Sequence, residues 1–310
     1  MNRPQLTDTI IMVRPCNFRY NIQTASDNVY QKKILNFSDT DVQEKAQVEF
    51  DNFVNILRGN LINVIVFEDT LTPHTPDSVF PNNWISTHHN GNIVLYPMFA
   101  SNRRLERRMD IVNFLKEEFE VKNTIDDMLK FEKNGQYLEG TGSMVLDREH
   151  GIVYACLSKR SDLSLLNYWC EKMSFELIFF RAKDGNKDIY HTNVLMSICK
   201  DLVFICLDTI SDEEEKEQLL TSFQTTNKKV IDISITQMNS FLGNVLELKN
   251  SQGESFLIMS TSAFNSLSSE QNLIINQYVK ILHSSLNVIE HFGGGSARCM
   301  IAEVFLNRIK

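Results

Sequence analysis

One pattern returns along this chain at a nearly constant interval, and it limits the fold more tightly than any composition does. Small or polar residues lead into an apolar strand, a short polar turn follows, and a second apolar strand runs back. The first copy is Asn82-Asn83-Trp84-Ile85-Ser86, turning at residues 89–92 into the apolar run 93–96. The second is Leu138-Glu139-Gly140-Thr141-Gly142-Ser143 with the strand to 146, turning at 147–151 into 152–157. The third starts at His191-Thr192-Asn193 and the fourth at Leu242-Gly243-Asn244. Glu139, His191, Gly243 and Gly295 follow one another at 52 residues, and Asn83 precedes Glu139 by 56. Self-similarity at such a period predicts a ring or stack of equal units in place of two unrelated domains.

Each unit reads as ββαβ. Polar turns with Gly or Asn between apolar runs predict hairpins. Apolar spacing predicts helices over 42–57, 110–118 and 267–282, and Ser211-Asp212-Glu213-Glu214 predicts a capping box opening another. Short strands over 175–180 and 229–233 close their units. The fifth unit is incomplete, since only the strand 300–305 follows Cys299. The strand 9–13 and the helix 41–58 near the start of the chain are expected to complete it. One domain over residues 1–310 follows, and a ring closed this way would remove free sheet edges.

Composition narrows the function. A 43% hydrophobic content with 12 Gly and 6 Pro excludes disordered and collagen-like classes. The formal charge is −8, with 31 basic and 39 acidic residues, which disfavours a nucleic-acid or membrane-surface partner. The apolar runs 61–67 and 202–207 are strand-length, against about 20 residues for a membrane span. No secretory leader is expected from MNRPQLTDTIIMVRPCNF. Six cysteines without CxxC spacing predict reduced thiols and a cytoplasmic location. His88-His89 are adjacent and lack a clustered third ligand, so no metal is expected; Gly293-Gly294-Gly295 lacks the P-loop Lys, so no nucleotide is expected. No cofactor is called for.

The departures from apolar patterning fall at equivalent places. Asn82-Asn83, Glu139, His191 with Asn193, and Cys299 all stand near the start of the first strand of their unit. In a ring these positions face a shared axis, so a Cys, a His, a Glu and several amides would converge as they do for nucleophilic catalysis. Arg14 and Arg298 are candidates for gripping an α-carboxylate, since Arg suits planar bidentate recognition. Arg103-Arg104 and Arg107-Arg108 read as a solvated helix face.

The motifs Arg14-Pro15, Phe80-Pro81-Asn82-Asn83-Trp84, Leu138-Glu139-Gly140-Thr141-Gly142-Ser143, His191-Thr192-Asn193 and Gly293-Gly294-Gly295-Ser296-Ala297-Arg298-Cys299-Met300 resemble the amidinotransferase and arginine-deiminase superfamily of guanidine-modifying enzymes. The resemblance covers nearly the whole chain and is nearest to the citrulline-utilisation hydrolases. It implies an α/β fold, the five-bladed pseudo-symmetric propeller called a pentein. It implies Cys299 as nucleophile, His191 as general base and then acid, and Glu139 as a group that orients the site and bonds substrate nitrogens. Asn83 and Asn193 stand where many relatives carry Asp. Arginine is a donor-only cation, whereas Asn and a ureido group are neutral and each offers donor and acceptor. The substrate expected is therefore citrulline or a similar amino acid, giving ornithine, ammonia and carbon dioxide, with His191 and the charge of Arg298 activating the thiol. The rivals are an arginine deiminase, a dimethylarginine-type hydrolase or an amidinotransferase, and, from another class, a non-catalytic binding propeller. The oligomeric state, homo-oligomer included, is left open.

Overall fold

The computed structural model describes residues 3–32 and 37–309. Among these, five three-stranded sheets share one plan: the first strand pairs antiparallel with the second, and the second pairs parallel with the third. One sheet joins the two ends of the chain. Its strands are β17 (Ala302–Val304), β1 (Thr9–Arg14) and β2 (Asn63–Glu68), with Thr9 opposite Val304. The others are β3 (Ile85–Thr87), β4 (Asn92–Leu95) and β5 (Asn123–Ile125); β6 (Val145–Asp147), β7 (Ile152–Cys156) and β8 (Glu176–Phe180); β11 (Met196–Ile198), β12 (Leu202–Ile205) and β13 (Lys229–Asp232); and β14 (Leu246–Lys249), β15 (Ser255–Ser260) and β16 (Lys280–Ser284). A small hairpin, β9 (Lys183–Asp184) and β10 (Lys187–Asp188), stands apart.

A parallel step needs a crossover, and in each unit helix supplies it. The crossovers are α1 (Asp39–Gly59), α2 (Met109–Glu118), α4 (Leu163–Met173), α6 (Glu213–Thr225), and the pair α8 (Thr261–Ser266) and α9 (Ser269–Ile275). Helix α1 starts at Ser38, whose side chain and Asp41 form a capping box. Its stripe Val42, Ala46, Phe50, Phe53, Val54 and Leu57 is buried. Each large member of such a stripe contributes about 1.5–3 kcal/mol by leaving water. Central strands such as β12 are buried along their whole length, and so read as unbroken apolar runs, whereas β13 is half exposed.

Three expectations change. Asp212, and not Ser211, caps α6, accepting from the N–H groups of Glu214 and Glu215. The segment 267–282 is not one helix: α9 ends at Ile275, and Lys280-Ile281-Leu282 pairs in parallel with β15. Its apolar residues served a strand and a helix in succession. The sheets also keep their edges. Each is a separate three-stranded unit, and its third strand lies half exposed without a partner sheet.

A short turn precedes each first strand. These turns are Pro81–Asn83, α3 (Gly140–Ser143), α5 (Thr192–Leu195), residues 239–244 directly after α7 (Ile235–Met238), and residues 297–300. Helix α3 packs on both the Pro81–Asn83 turn and α5, and β17 packs on β3. The equivalent turns of neighbouring units therefore stand side by side.

Candidate active site

Cys299, His191 and Asn83 come from three different turns and line one buried cavity. Arg103, Arg160, Asp77 and Tyr190 line it too, with the backbone of Gly293, Gly294 and Gly295. Its volume is about 20 Å³, room for roughly one water. Thr24 and Asn28 form part of its wall, and Asn28 Nδ2 donates to the Gly293 carbonyl at 3.3 Å, with Gln31 Nε2 on the same oxygen at 3.0 Å.

His191 is held from behind. Its Nε2 lies 2.8 Å from Glu139 Oε2, and Glu139 is fully buried. Arg160 Nη1 reaches the same carboxylate oxygen at 3.3 Å, while the Phe99 N–H donates to the other at 2.9 Å. Burial alone would raise the Glu139 carboxyl, but the Arg160 charge and the bond to His191 outweigh it and hold the group well below the usual carboxylate range. Glu139 is thus an ionised acceptor. The proton of a neutral His191 then belongs on Nε2, and Nδ1 is the nitrogen left for proton transfer. Burial also pushes His191 below its ordinary value against the pull of Glu139, so the imidazole rests neutral. Glu139 does not line the cavity. It orients His191, and the expected bonds from Glu139 to substrate are not part of this arrangement.

Asn83 is fixed by chemistry. Arg103 Nη1 donates to Asn83 Oδ1 at 2.7 Å, and a guanidinium only donates, so the amide oxygen must face it. The Asn83 Nδ2 donor is buried and has no partner. It lies beside His191 across Gly142. A Cβ built on Gly142 would stand 2.4 Å from Asn83 Nδ2 and 2.8 Å from His191 Nδ1. Both neighbours are pinned, by Arg103 and by Glu139, so neither can yield cheaply. Gly142→Ala is expected to cost about 1–3 kcal/mol of stability by overpacking. It should also lower kcat about 100-fold by displacing the imidazole roughly 1 Å. A chemical melt and steady-state rates on one preparation check both.

The sulfur is not paired with His191. Among the described residues its partners are Asn193 Nδ2 at 3.4 Å and Asn244 Nδ2 at 3.2 Å. His191 and Cys299 share the cavity without a direct hydrogen bond, so the expected Cys–His pair is not formed. Nor does Arg298 assist. Its Nη2 lies 2.8 Å from Glu303 Oε2 and its Nη1 donates to the Ile301 carbonyl, on the wall of a separate cavity. Arg14 is likewise remote from the cavity, bound to Asp51 at 2.7 Å and Glu68 at 3.4 Å, because the end of β1 faces α1. Asn82 is buried behind the wall, bonding Thr141 Oγ1 at 3.3 Å.

The cavity's arginines are Arg103 and Arg160, which are 2% and 1% exposed. The expected solvated face at Arg103 is therefore wrong: Glu106 binds it at 2.9 Å and Asp77 stands 3.8 Å away. The repeat held a signal for the pair, since each follows the second strand of its unit and they stand 57 residues apart, close to one unit. Asn244 carried a similar signal, 51 residues beyond Asn193.

Comparison with known proteins places the chain. A profile of the family described as "N,N dimethylarginine dimethylhydrolase, eukaryotic" matches residues 14–306, and the chain belongs to that family. That family is described as one of hydrolases acting on dimethylarginine. No curated protein matches it. Among solved structures it is similar to ArgZ, an arginine dihydrolase from the ornithine–ammonia cycle in cyanobacteria, with a TM-score of 0.74 and 17% identity over 96% of this chain and 40% of that one. The chain thus spans less than half of full-length ArgZ. The N-terminal domain of a cysteine-to-serine ArgZ mutant bound to substrate gives a TM-score of 0.73 at 17% identity, covering 96% of this chain and 97% of that domain. A dimethylargininase from Pseudomonas aeruginosa, a cysteine-to-serine mutant in complex with citrulline, gives 0.67 at 12% identity, covering 97% and 100%. At these identities the likeness establishes the mixed α/β fold. No described helix is long and apolar enough to cross a membrane.

Proposed function

We propose that this protein hydrolyses the ureido group of citrulline or a similar amino acid, releasing ornithine, ammonia and carbon dioxide. The observation that carries the proposal is Asn83. Arg103 fixes its oxygen, and its Nδ2 donor is left unmatched at the cavity wall. A ureido oxygen accepts that hydrogen bond. A guanidinium has no acceptor and would leave the donor buried and unsatisfied, a cost of about 1–3 kcal/mol.

In this proposal the Cys299 thiol passes its proton to His191 Nδ1 and the sulfur attacks the ureido carbon. His191 delivers that proton to the departing ammonia, leaving a thiocarbamate on the sulfur. His191 then takes a proton from water, which attacks the same carbon and frees the thiolate. The carbamate released breaks down to ornithine and carbon dioxide. Arg103 and Arg160 are placed to receive the α-carboxylate, and the unpartnered Asp77 Oδ1 the α-ammonium. We further propose that the five sheets close as a propeller around this cavity in one domain, and that the protein works in the cytoplasm, in keeping with six free cysteines.

A second reading is a guanidino substrate. The matched family favours it, and so does the free Asp77 carboxylate oxygen if it meets a guanidinium. The two are separated by amine release, ammonia from citrulline and arginine and dimethylamine from dimethylarginine, measured side by side. Citrulline should lead in kcat/KM by tenfold or more, and Asn83→Asp should narrow that lead by adding an anion. A lead for arginine or dimethylarginine in the wild-type protein refutes the ureido assignment.

A further inference from the structure

The turn over residues 239–244 brings the fourth unit to the nucleophile. Gly243 makes this possible: a Cβ there would stand 2.3 Å from the Val194 carbonyl, so the turn lies directly on α5, which carries Asn193. Asn244, 2% exposed, then grips the segment around Cys299 at three points. Its backbone carbonyl accepts from the Arg298 N–H at 3.4 Å, its Oδ1 accepts from the Cys299 N–H at 3.3 Å, and its Nδ2 donates to Cys299 Sγ at 3.2 Å. The amide cannot be turned round. Nδ2 also donates to the Asn193 carbonyl at 2.9 Å, an acceptor only, while Oδ1 faces an N–H, a donor only.

The sulfur therefore meets two amide donors, from Asn244 and Asn193, with neither an imidazole nor a guanidinium bonded to it. Donors aimed at sulfur favour its ionised form over the thiol. We propose that Asn244 is a catalytic residue of this reaction, whose N–H···S bond stabilises the Cys299 thiolate before any substrate arrives. This rests on Cys299 being the nucleophile, as proposed above. A neutral ureido substrate brings no cation to ionise the thiol, so a fixed donor supplies what the substrate lacks.

The test needs no substrate. The rate of Cys299 alkylation by iodoacetamide is followed against pH, with the labelled peptide identified by mass so that the half-buried Cys16 is counted separately. Asn244→Ala should move the midpoint up by about one pH unit, the scale of one hydrogen bond to a charged group, and slow labelling at pH 7 about tenfold. Asn244→Leu fills the volume and excludes a substitute water, and should move it at least as far. His191→Ala should leave the midpoint in place. An unmoved midpoint in whichever Asn244 variant folds, or an equal shift in His191→Ala, overturns the proposal. Because labelling is independent of turnover, a protein that ignores citrulline but shows the shift overturns only the substrate assignment.

Discussion

Cys299→Ala should bind substrate and release no ammonia. The sulfur is the cavity's only thiol among the described residues, and single removals of a covalent nucleophile cost on the order of 10⁴-fold or more in kcat. Binding should survive, because the groups placed to hold the amino-acid end, Arg103, Arg160 and Asp77, belong to other turns and keep their own partners. The fold should survive as well. The loss is one small buried group and two amide donors left without an acceptor, about 1–3 kcal/mol against a core of four apolar clusters. Calorimetric titration with citrulline, beside an ammonia assay and a urea melt, reads all three quantities. Turnover within tenfold of wild type would remove Cys299 from the mechanism.

Arg160→Met should be the most destabilising single change at the site. Arg160 is buried between Asp27 and Glu139 and lies 4.8 Å from the Tyr190 ring centre. Methionine fills part of the space and brings no charge. Glu139 then keeps His191, the Phe99 N–H and the more distant Arg103 against the cost of burial, its carboxyl rises, and the anchor of the imidazole weakens. Breaking a buried pair from one side costs about 3–5 kcal/mol. Glu139 is depressed in the folded protein, so the stability it contributes is present above the unfolded carboxylate value of about 4.3 and is lost as pH falls through the folded value. The gap between wild type and Arg160→Met should therefore be full at pH 7 and shrink in strong acid. Arg14→Met is the control. Arg14 is partly exposed beside Asp51 and Glu68, and its loss should cost about 0–1 kcal/mol. Urea midpoints at several pH values give both numbers, and equal effects of the two changes would refute the argument.

What the sequence made legible was position along the repeat. The 52-residue return placed His191 and Glu139 one unit apart, and the structure puts them 2.8 Å apart. It also placed Cys299 in the turn before its strand. What the repeat does not encode is the direction of a side chain. Arg298 is the neighbour of Cys299 in sequence, yet it turns away to Glu303 because an unpaired guanidinium cannot be buried beside an apolar strand. Asn244 shares the phase of the other site residues, but an Asn beside a Gly reads equally as a turn former. Arg103 looked solvated because three more arginines surround it in the chain; only Asp77 and Glu106, brought in by folding, make its burial tolerable. The helix expected over 267–282 failed for a related reason, since an apolar run cannot declare that its second half pairs with β15.

The sheet that joins β17 to β1 imposes an order in time. β1 can find β2 early, but its other neighbour is made nearly 300 residues after it. Cys299 lies just ahead of that late strand, so a nascent chain carries His191, Glu139 and both arginines long before it carries the sulfur they are proposed to serve. Chemistry is withheld until that sheet can close. A transcript cut short before Cys299 yields a polypeptide with one sheet unfinished and without the proposed nucleophile, so no turnover is expected of it.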